Sequence, residues 1–237
     1  MISIAITNHN RSDMTIEAFA KVIDNPFVTE VVIVDDCSEE NIYNDLVSKV
    51  KSLDNDKVFL YRNDKNLGAF FNKYEAIRRC RNEWVIIFDS DNIIDNDYIN
   101  IAATLEKRPD TIYCPAVVQI LREQRGKWNF TAFSDIDLNT AKLFVYDRNF
   151  KILMNTGNYL VNRRRYVNTI VARHLNKGFC KDDAFYFNYL WLKDGNRLSV
   201  TTGMTYMHRI HDGSYWLDNA DLFLAIQNKL IEKIKAL

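Results

Sequence analysis

Two aspartates separated by one residue give the strongest chemical signal in the sequence. Asp89 and Asp91 follow the apolar run at residues 84–88, and two bare carboxylates at this spacing would repel each other. A divalent cation removes that repulsion, and carboxylate oxygens suit Mg²⁺ or Mn²⁺. Because Mg²⁺ is usually held by one or two carboxylates together with substrate phosphates, the pair points to a phosphorylated ligand. The alternative interpretation is a solvated turn whose aspartates cap a helix.

A second acidic pair follows another apolar run. Asp35 and Asp36 come directly after residues 31–34. We expect one of them to cap a helix that begins near Glu39, and the other to be free to accept hydrogen bonds from a base or a ribose.

A glycine-containing turn at residues 66–68 precedes a helical pattern. Gly68 supplies conformational freedom, and the amino terminus of a helix is a place where an anion can sit. Lys73, one turn into the helix, adds a cation there. A solvated surface position is the alternative for this lysine.

Short apolar runs alternate with helical patterns through the first half of the chain. The expected strands are residues 2–6, 30–34, 57–61, 84–88 and 111–118, and the expected helices are 12–23, 39–53, 69–81 and 97–107. This alternation predicts an α/β fold with a mostly parallel sheet and helices on both faces. The polar segments that follow the first, second and fourth strands should then meet at the carboxyl edge of the sheet, where ligands bind.

The second half of the chain is less regular. Residues 120–150 have no clear period, and core packing is favoured for their aromatic side chains over acceptor stacking or a lid. The expected elements beyond them are a strand at 158–161, helices near 163–174 and 181–193, a strand near 197–206 and a helix from about 218. We expect this last helix to pack on a single domain spanning 1–237, ahead of a contact with a second copy or a membrane surface.

Composition excludes several classes of protein. The 31 basic and 31 acidic residues among 237 cancel, which disfavours a salt-driven nucleic-acid binder. No apolar run approaches the roughly 20 residues of a membrane span, and the amino terminus lacks the pattern of a signal peptide. The four cysteines lack zinc-site spacing and are expected to be reduced, so we expect a cytoplasmic protein.

Four segments of the first half together resemble glycosyltransferase family 2, whose fold is GT-A, a Rossmann-like nucleotide-binding sheet. They are ITNHNR at 6–11, VDDCS at 34–38, NLGA at 66–69 and WVIIFDSD at 84–91. Their order and spacing agree with the family over residues 2–99. Three positions depart from the family pattern: His9 replaces a tyrosine, Cys37 replaces a glycine, and Lys73 stands where arginine is common. These departures bear on nucleotide choice more than on catalysis.

The resemblance continues more thinly in the second half. The segment GFCKDD at 178–183 is similar to the family's Glu-Asp motif, which implies Asp183 as the general base and places Asp182 at the glutamate position. The segment YMHRIHDGS at 206–214 implies His211 as a metal or diphosphate partner, with His208 as the substitute. Residues 157–160 resemble the strand before the acceptor pocket.

The resemblance implies an inverting transfer of sugar from a nucleoside diphosphate sugar, with UDP-sugar favoured, to an acceptor hydroxyl. Asp91, Asp89 and His211 would hold Mn²⁺ or Mg²⁺. The implied nucleotide site comprises Thr7, His9, Asp36, Asn66, Lys73 and Asp89. Residues 1–110 would bind the nucleotide, and 111–237 a glycan or glycolipid acceptor, in the cytoplasm or at the cytosolic face of a membrane.

Two other classes stay open at this stage. An inactive module that binds sugar nucleotides or glycans would keep the same carboxylates. A nucleotidyltransferase would carry a glycine-rich phosphate loop after its first strand, and residues 7–11 contain no glycine.

Overall fold

Four parallel strands that alternate with helices form the first part of the sheet. The structure is a computed structural model that describes residues 1–121, 126–211 and 219–237. The first elements are β1 (Ile2–Asn8), α1 (Ser12–Phe19), β2 (Val28–Asp35), α2 (Glu40–Ser52), β3 (Val58–Arg62), α3 (Ala69–Arg79), β4 (Trp84–Asp89) and α4 (Asn96–Thr104). These strands lie in the order β3-β2-β1-β4, so the predicted α/β arrangement is confirmed.

The carboxyl ends of β1, β2 and β4 are level with one another. Asn8 pairs with Asp35, and Thr7 pairs with Asp89. The polar segments that follow these strands therefore meet at one edge of the sheet, as predicted. Residues 85–88 of β4 are buried, which explains why this run is continuously apolar.

The second part of the chain extends the same sheet with strands of both directions. Its elements are β5 (Thr111–Leu121), β6 (Gly126–Asn129), β7 (Asp135–Ile136), α5 (Leu138–Phe144), α6 (Arg148–Met154), β8 (Tyr159–Asn162), α7 (Arg163–Val171), a 3₁₀ turn (Phe179–Lys181), α8 (Asp183–Lys193), β9 (Arg197–Arg209) and α9 (Ala220–Ala236). The order continues as β4-β8-β5-β9-β7. β8 is antiparallel to β4 and β5, whereas β9 is parallel to β5.

The aromatic side chains between 126 and 150 lie mainly in the core. Phe130, Phe133 and Phe150 are buried, and the rings of Phe133 and Phe144 are 5.2 Å apart in an edge-to-face arrangement. Core packing, the favoured interpretation, is thus confirmed for these side chains. Tyr146 is instead 64% exposed.

The carboxyl-terminal helix packs on the rest of the domain through one apolar face. Phe223, Ile226, Leu230 and Ile234 are buried, whereas Leu237 is exposed. The predicted start near 218 lies outside the described residues, and α9 begins at Ala220. Among the helices in the described ranges, none combines the length and apolar character needed to cross a bilayer.

Candidate active site

A cavity of about 690 Å³ opens at the carboxyl ends of β1, β2 and β4. It brings together nearly all of the side chains that the sequence singles out. Those lining it are Thr7, His9, Asp36, Asn66, Lys73, Asp89, Asp91, Asp182, Asp183 and His208. His211 lies beside this cavity, in contact with Asp91.

Asp36 fixes the glycine-containing loop beside the cavity. Its Oδ1 accepts hydrogen bonds from the backbone N–H of Leu67 at 2.8 Å and from Asn63 Nδ2 at 2.8 Å, and its Oδ2 accepts from the N–H of Gly68 at 2.9 Å. Gly68 has a φ of +80°, a conformation that glycine adopts without strain. The carboxylate of Asp36 is therefore engaged within the protein, which differs from the expectation that it is free.

Neither Asp35 nor Asp36 caps α2, so the prediction that one of them does is wrong. The helix follows Glu39, with no side-chain capping bond, and Asp35 instead accepts hydrogen bonds from Asn8 Nδ2 at 2.7 Å and from the N–H of Ser38 at 3.0 Å. These bonds shape the turn after β2. Cys37 in that turn has a φ of +59°, which explains why a glycine suits the equivalent position of the family pattern.

Lys73 lies at the centre of the site rather than on a solvated surface. Its ammonium group is 2.8 Å from Asp89 Oδ1 and 2.6 Å from Asp183 Oδ2, and its side chain is only 8% exposed. Burial lowers the pKa of Lys73, but the charges of Asp183 and Asp89 outweigh burial and raise that pKa well above its ordinary value. The ammonium therefore stays charged between two carboxylates.

Asp89 is also held through its backbone by Asn158. Its backbone N–H donates to Asn158 Oδ1 at 2.8 Å, and Asn158 Nδ2 in turn donates to the carbonyl of Thr156 at 2.8 Å. Burial raises the pKa of Asp89, and the charge of Lys73 opposes that rise. Asn158 lies in the segment at 157–160 noted in the sequence, but its contact with Asp89 could not be predicted because it depends on the pairing of β4 with β8.

Asp91 lies between a guanidinium and an imidazole. Arg11 Nη1 donates to Asp91 Oδ2 at 3.0 Å, and His211 Nε2 lies 3.3 Å from the same oxygen. Burial raises the pKa of Asp91, but the contact with His211 and the charge of Arg11 hold that pKa below its ordinary value. The sequence alone assigns no role to Arg11, although it lies three residues after β1, at the edge of the sheet where ligands bind.

The ring of His208 packs against Trp128. Its ring centroid is 5.0 Å from that of Trp128, and both side chains line the cavity. Burial lowers the pKa of His208, with the charge of Asp91 opposing. Among the residues that the structure describes, no three His, Cys, Asp or Glu side chains are grouped closely enough to hold a metal ion by themselves.

Asp182 and Asp183 occupy different environments although they are neighbours. Asp183 begins α8, and its side chain is 18% exposed toward the cavity. Asp182 is 2% exposed, its Oδ2 accepts a hydrogen bond from Gln227 Nε2 at 2.8 Å, and burial raises its pKa to about 7. Gln227 lies on α9, and no local pattern in the sequence could have identified it.

Comparison with known proteins agrees with this fold. Residues 3–173 match the model of glycosyl transferase family 2, which is most of the chain. The chain belongs to glycosyl transferase family 2. A curated relative from Haemophilus influenzae, named an uncharacterized glycosyltransferase, is 27% identical over 129 residues, which are 52% of this chain and 41% of the relative. The match thus spans about two-fifths of that relative's length.

Solved structures of similar fold are glycosyltransferases. S. aureus TarS 1–349 in complex with UDP-GlcNAc gives a TM-score of 0.71 at 16% identity, covering 98% of this chain and 71% of that one. The mannosyltransferase PcManGT from Pyrobaculum calidifontis, in complex with GDP-Man and Mn²⁺, gives a TM-score of 0.64 at 14% identity. The match covers 98% of this chain and 64% of that one. The α/β fold of this chain is accordingly the GT-A fold.

Proposed function

We propose that this chain is a metal-dependent, inverting glycosyltransferase that moves a sugar from a nucleoside diphosphate sugar to the hydroxyl of a glycan or glycolipid. The observation that carries the proposal is the double ion pair of Lys73, 2.8 Å from Asp89 and 2.6 Å from Asp183. One ammonium thereby joins a carboxylate of the Asp-x-Asp segment to a carboxylate that is open to the cavity and suited to act as a base.

Asp183 is the proposed general base. It accepts the proton of the acceptor hydroxyl while the oxygen bonds to the anomeric carbon and the nucleoside diphosphate leaves from the opposite side. General-base catalysis of this kind typically raises the rate by a factor on the order of 10²–10⁴. A single displacement inverts the anomeric carbon and needs no enzyme nucleophile, unlike the two-step route of retaining glycosidases. Asp182, hydrogen-bonded to Gln227, serves the reaction by anchoring the start of α8.

The residues around Asp91 fit a divalent cation that is shared with a substrate. A carboxylate oxygen and an imidazole nitrogen suit Mn²⁺, and Asp91 Oδ2 lies 3.3 Å from His211 Nε2. Because the described residues hold no larger ligand cluster, diphosphate oxygens and water must supply the other ligands, which is typical of Mg²⁺ and Mn²⁺ sites. Asp89 is the proposed further carboxylate. When bound, the cation acts as a Lewis acid that stabilises charge on the diphosphate.

The nucleotide is assigned to the edge of the sheet formed by the ends of β1 and β2. His9 and Asn66 are exposed there, with Asn66 Nδ2 3.4 Å from His9 Nε2, and Thr7 and Asp36 line the same cavity. UDP-sugar is the favoured donor, and the UDP-GlcNAc complex of TarS supports it. The cytoplasmic location, the separate roles of residues 1–110 and 111–237, and a homodimer stay predictions.

Thermal unfolding with UDP, GDP, CDP and dTDP, each with and without Mn²⁺, tests this proposal. A ligand that binds only the folded state stabilises it by about 2.7 kcal/mol at a hundredfold excess over its Kd. We expect stabilisation by UDP that requires Mn²⁺ and is lost in Asp91→Ala, with Asp97→Ala on α4 as the control. Stabilisation by none of the four nucleotides would refute the proposal.

The stereochemistry is tested separately. We expect the glycosidic bond formed from an α-linked UDP-sugar to be β, as read from the anomeric signals in the ¹H NMR spectrum of the product. An α-linked product would contradict a single displacement.

A further inference from the structure

The lining of the cavity includes two cations that the proposed reaction does not use. Arg148 and Lys151 line the cavity from α6, with Arg148 exposed and Lys151 partly buried. They are three residues apart on one helix, so their side chains lie on the same side of it, roughly 5–6 Å apart at Cβ.

These two cations differ from the others in the cavity by their surroundings. Lys73 and Arg11 are each paired with carboxylates of the site. For Arg148 and Lys151, no carboxylate in the described parts of the chain lies within ion-pair distance. Nearby acids have other partners: Asp147 Oδ1 accepts the N–H of Phe150 at 2.9 Å, and Glu232 Oε1 accepts from Tyr146 Oη at 3.1 Å.

The position of α6 places this cationic pair on the acceptor side. Asn188 Nδ2 on α8 donates to the carbonyl of Met154 at 2.8 Å, which ties the end of α6 to the helix that Asp183 begins. The chain then passes to Gly157, where a Cβ would lie 2.8 Å from Lys73 Nζ. The pair is therefore on an element joined to the helix of the proposed base, and both line the same cavity.

We propose that Arg148 and Lys151 bind an anionic group, a phosphate or a carboxylate, carried by the acceptor. The inference rests on the proposed function, since it names the class of acceptor for that reaction. The planar guanidinium of an arginine can bind such an anion through two hydrogen bonds, and the ammonium of a lysine adds a second positive charge. Ile152 and Leu224 on the same cavity lining suit the apolar face of a sugar or polyol.

Calorimetry with matched probes tests this inference, with and without saturating UDP and Mn²⁺. The probes are glucose 6-phosphate, methyl glucuronide and the neutral methyl glucoside. We expect at least one anionic probe to bind about tenfold or more tightly than the neutral one, the gain of one charge-assisted hydrogen bond. Arg148→Gln/Lys151→Gln should abolish the difference. Arg164→Gln/Lys193→Gln, an equal charge change on exposed residues outside the cavity lining, should retain it.

The outcomes separate the two proposals. Equal affinity for all three probes, or a fall in UDP affinity in Arg148→Gln/Lys151→Gln, would overturn the anionic-acceptor assignment while leaving nucleotide binding intact as evidence for the transferase. Failure of wild-type protein to bind any nucleotide would refute the transferase, while binding of glucose 6-phosphate still reports on the pair. Binding to phosphatidylglycerol vesicles, measured in parallel, shows where the anionic group comes from. If Arg148→Gln/Lys151→Gln loses vesicle binding, the anion belongs to a lipid headgroup. If the variant loses only glucose 6-phosphate binding, the acceptor is soluble.

Discussion

Lys73 and Asp183 form a buried ion pair between α3 and α8, with 2.6 Å between Nζ and Oδ2. Because the same ammonium lies 2.8 Å from Asp89, the spacing between the proposed base and the Asp-x-Asp segment depends on one side chain. Lys73 is therefore a positioning residue for both carboxylates, in addition to any contact with a bound diphosphate.

Replacing Lys73 by methionine keeps much of the side-chain volume and removes the charge. Two partly buried carboxylates are then left without their cation, so we expect a loss of at most about 3–5 kcal/mol in the free energy of unfolding. Displacement of Asp183 by about 1 Å should lower kcat on the order of 10²-fold. Urea unfolding and transfer rates measure the two effects, and Lys73→Arg should recover part of the stability. Unchanged kcat in a folded Lys73→Met protein would contradict the positioning role.

A substitution at Gly157 tests the positioning role of Lys73 without removing any charge. Its φ is +66°, and an added Cβ would lie 2.8 Å from Lys73 Nζ, whereas Gly195 has a φ of +76° and open space around it. Both Gly→Ala changes should cost about 1–2 kcal/mol of stability through left-handed backbone strain. Only Gly157→Ala should displace Lys73 and lower kcat. Equal kcat values for Gly157→Ala and Gly195→Ala would show that the ammonium position does not matter.

Asp183→Asn separates an enzyme from an inactive binding module. The amide has nearly the shape of the carboxylate but accepts no proton, so we expect turnover to fall on the order of 10²–10⁴-fold. The Kd for UDP with Mn²⁺ should stay within about twofold. A wild-type protein that binds UDP-sugar but has no measurable turnover to lose would favour the binding module.

The raised pKa of Asp182 predicts how the stability of the protein changes with pH. Its pKa rises from 3.8 to about 7 in the folded state, so the folded protein holds a proton that the unfolded chain has released. Stability from this group is complete below pH 3.8 and is lost as pH rises through about 7. At about 1.4 kcal/mol per pKa unit, the loss reaches at most about 4 kcal/mol.

Asp182→Asn removes that titration, and the amide oxygen can still accept the hydrogen bond from Gln227 Nε2. We expect urea unfolding to give a gain in stability for Asp182→Asn, relative to wild type, that is larger at pH 8 than at pH 5. Asp13→Asn, at a side chain that is 79% exposed, is the control and should show no such trend. A difference between wild type and Asp182→Asn that is independent of pH would contradict the raised pKa.

Much of the site could be predicted because parallel strands place their carboxyl ends together. The apolar runs locate β1, β2 and β4, and their parallel direction brings the polar residues at their ends, such as Thr7 and Asp89, to one edge of the sheet. The partners of Lys73 and Asp182 could not be predicted, because α8 and α9 reach the cavity only through tertiary packing. The elements between 126 and 154 were missed because each is two to seven residues long, too short for a period to show.

Substitutions of His211 and His208 should affect the Mn²⁺ dependence of activity differently. His211 Nε2 lies 3.3 Å from Asp91 Oδ2, whereas His208 packs against Trp128. Even loss of a residue that only orients a metal ligand typically costs 10–100-fold in metal affinity, so His211→Ala should raise the Mn²⁺ concentration for half-maximal activity at least about tenfold. His208→Ala, the control, should leave this concentration within about threefold and act mainly on stability through the lost ring contact. A larger shift in His208→Ala than in His211→Ala would exchange the two assignments, because only the imidazole that reaches the cation can set its affinity.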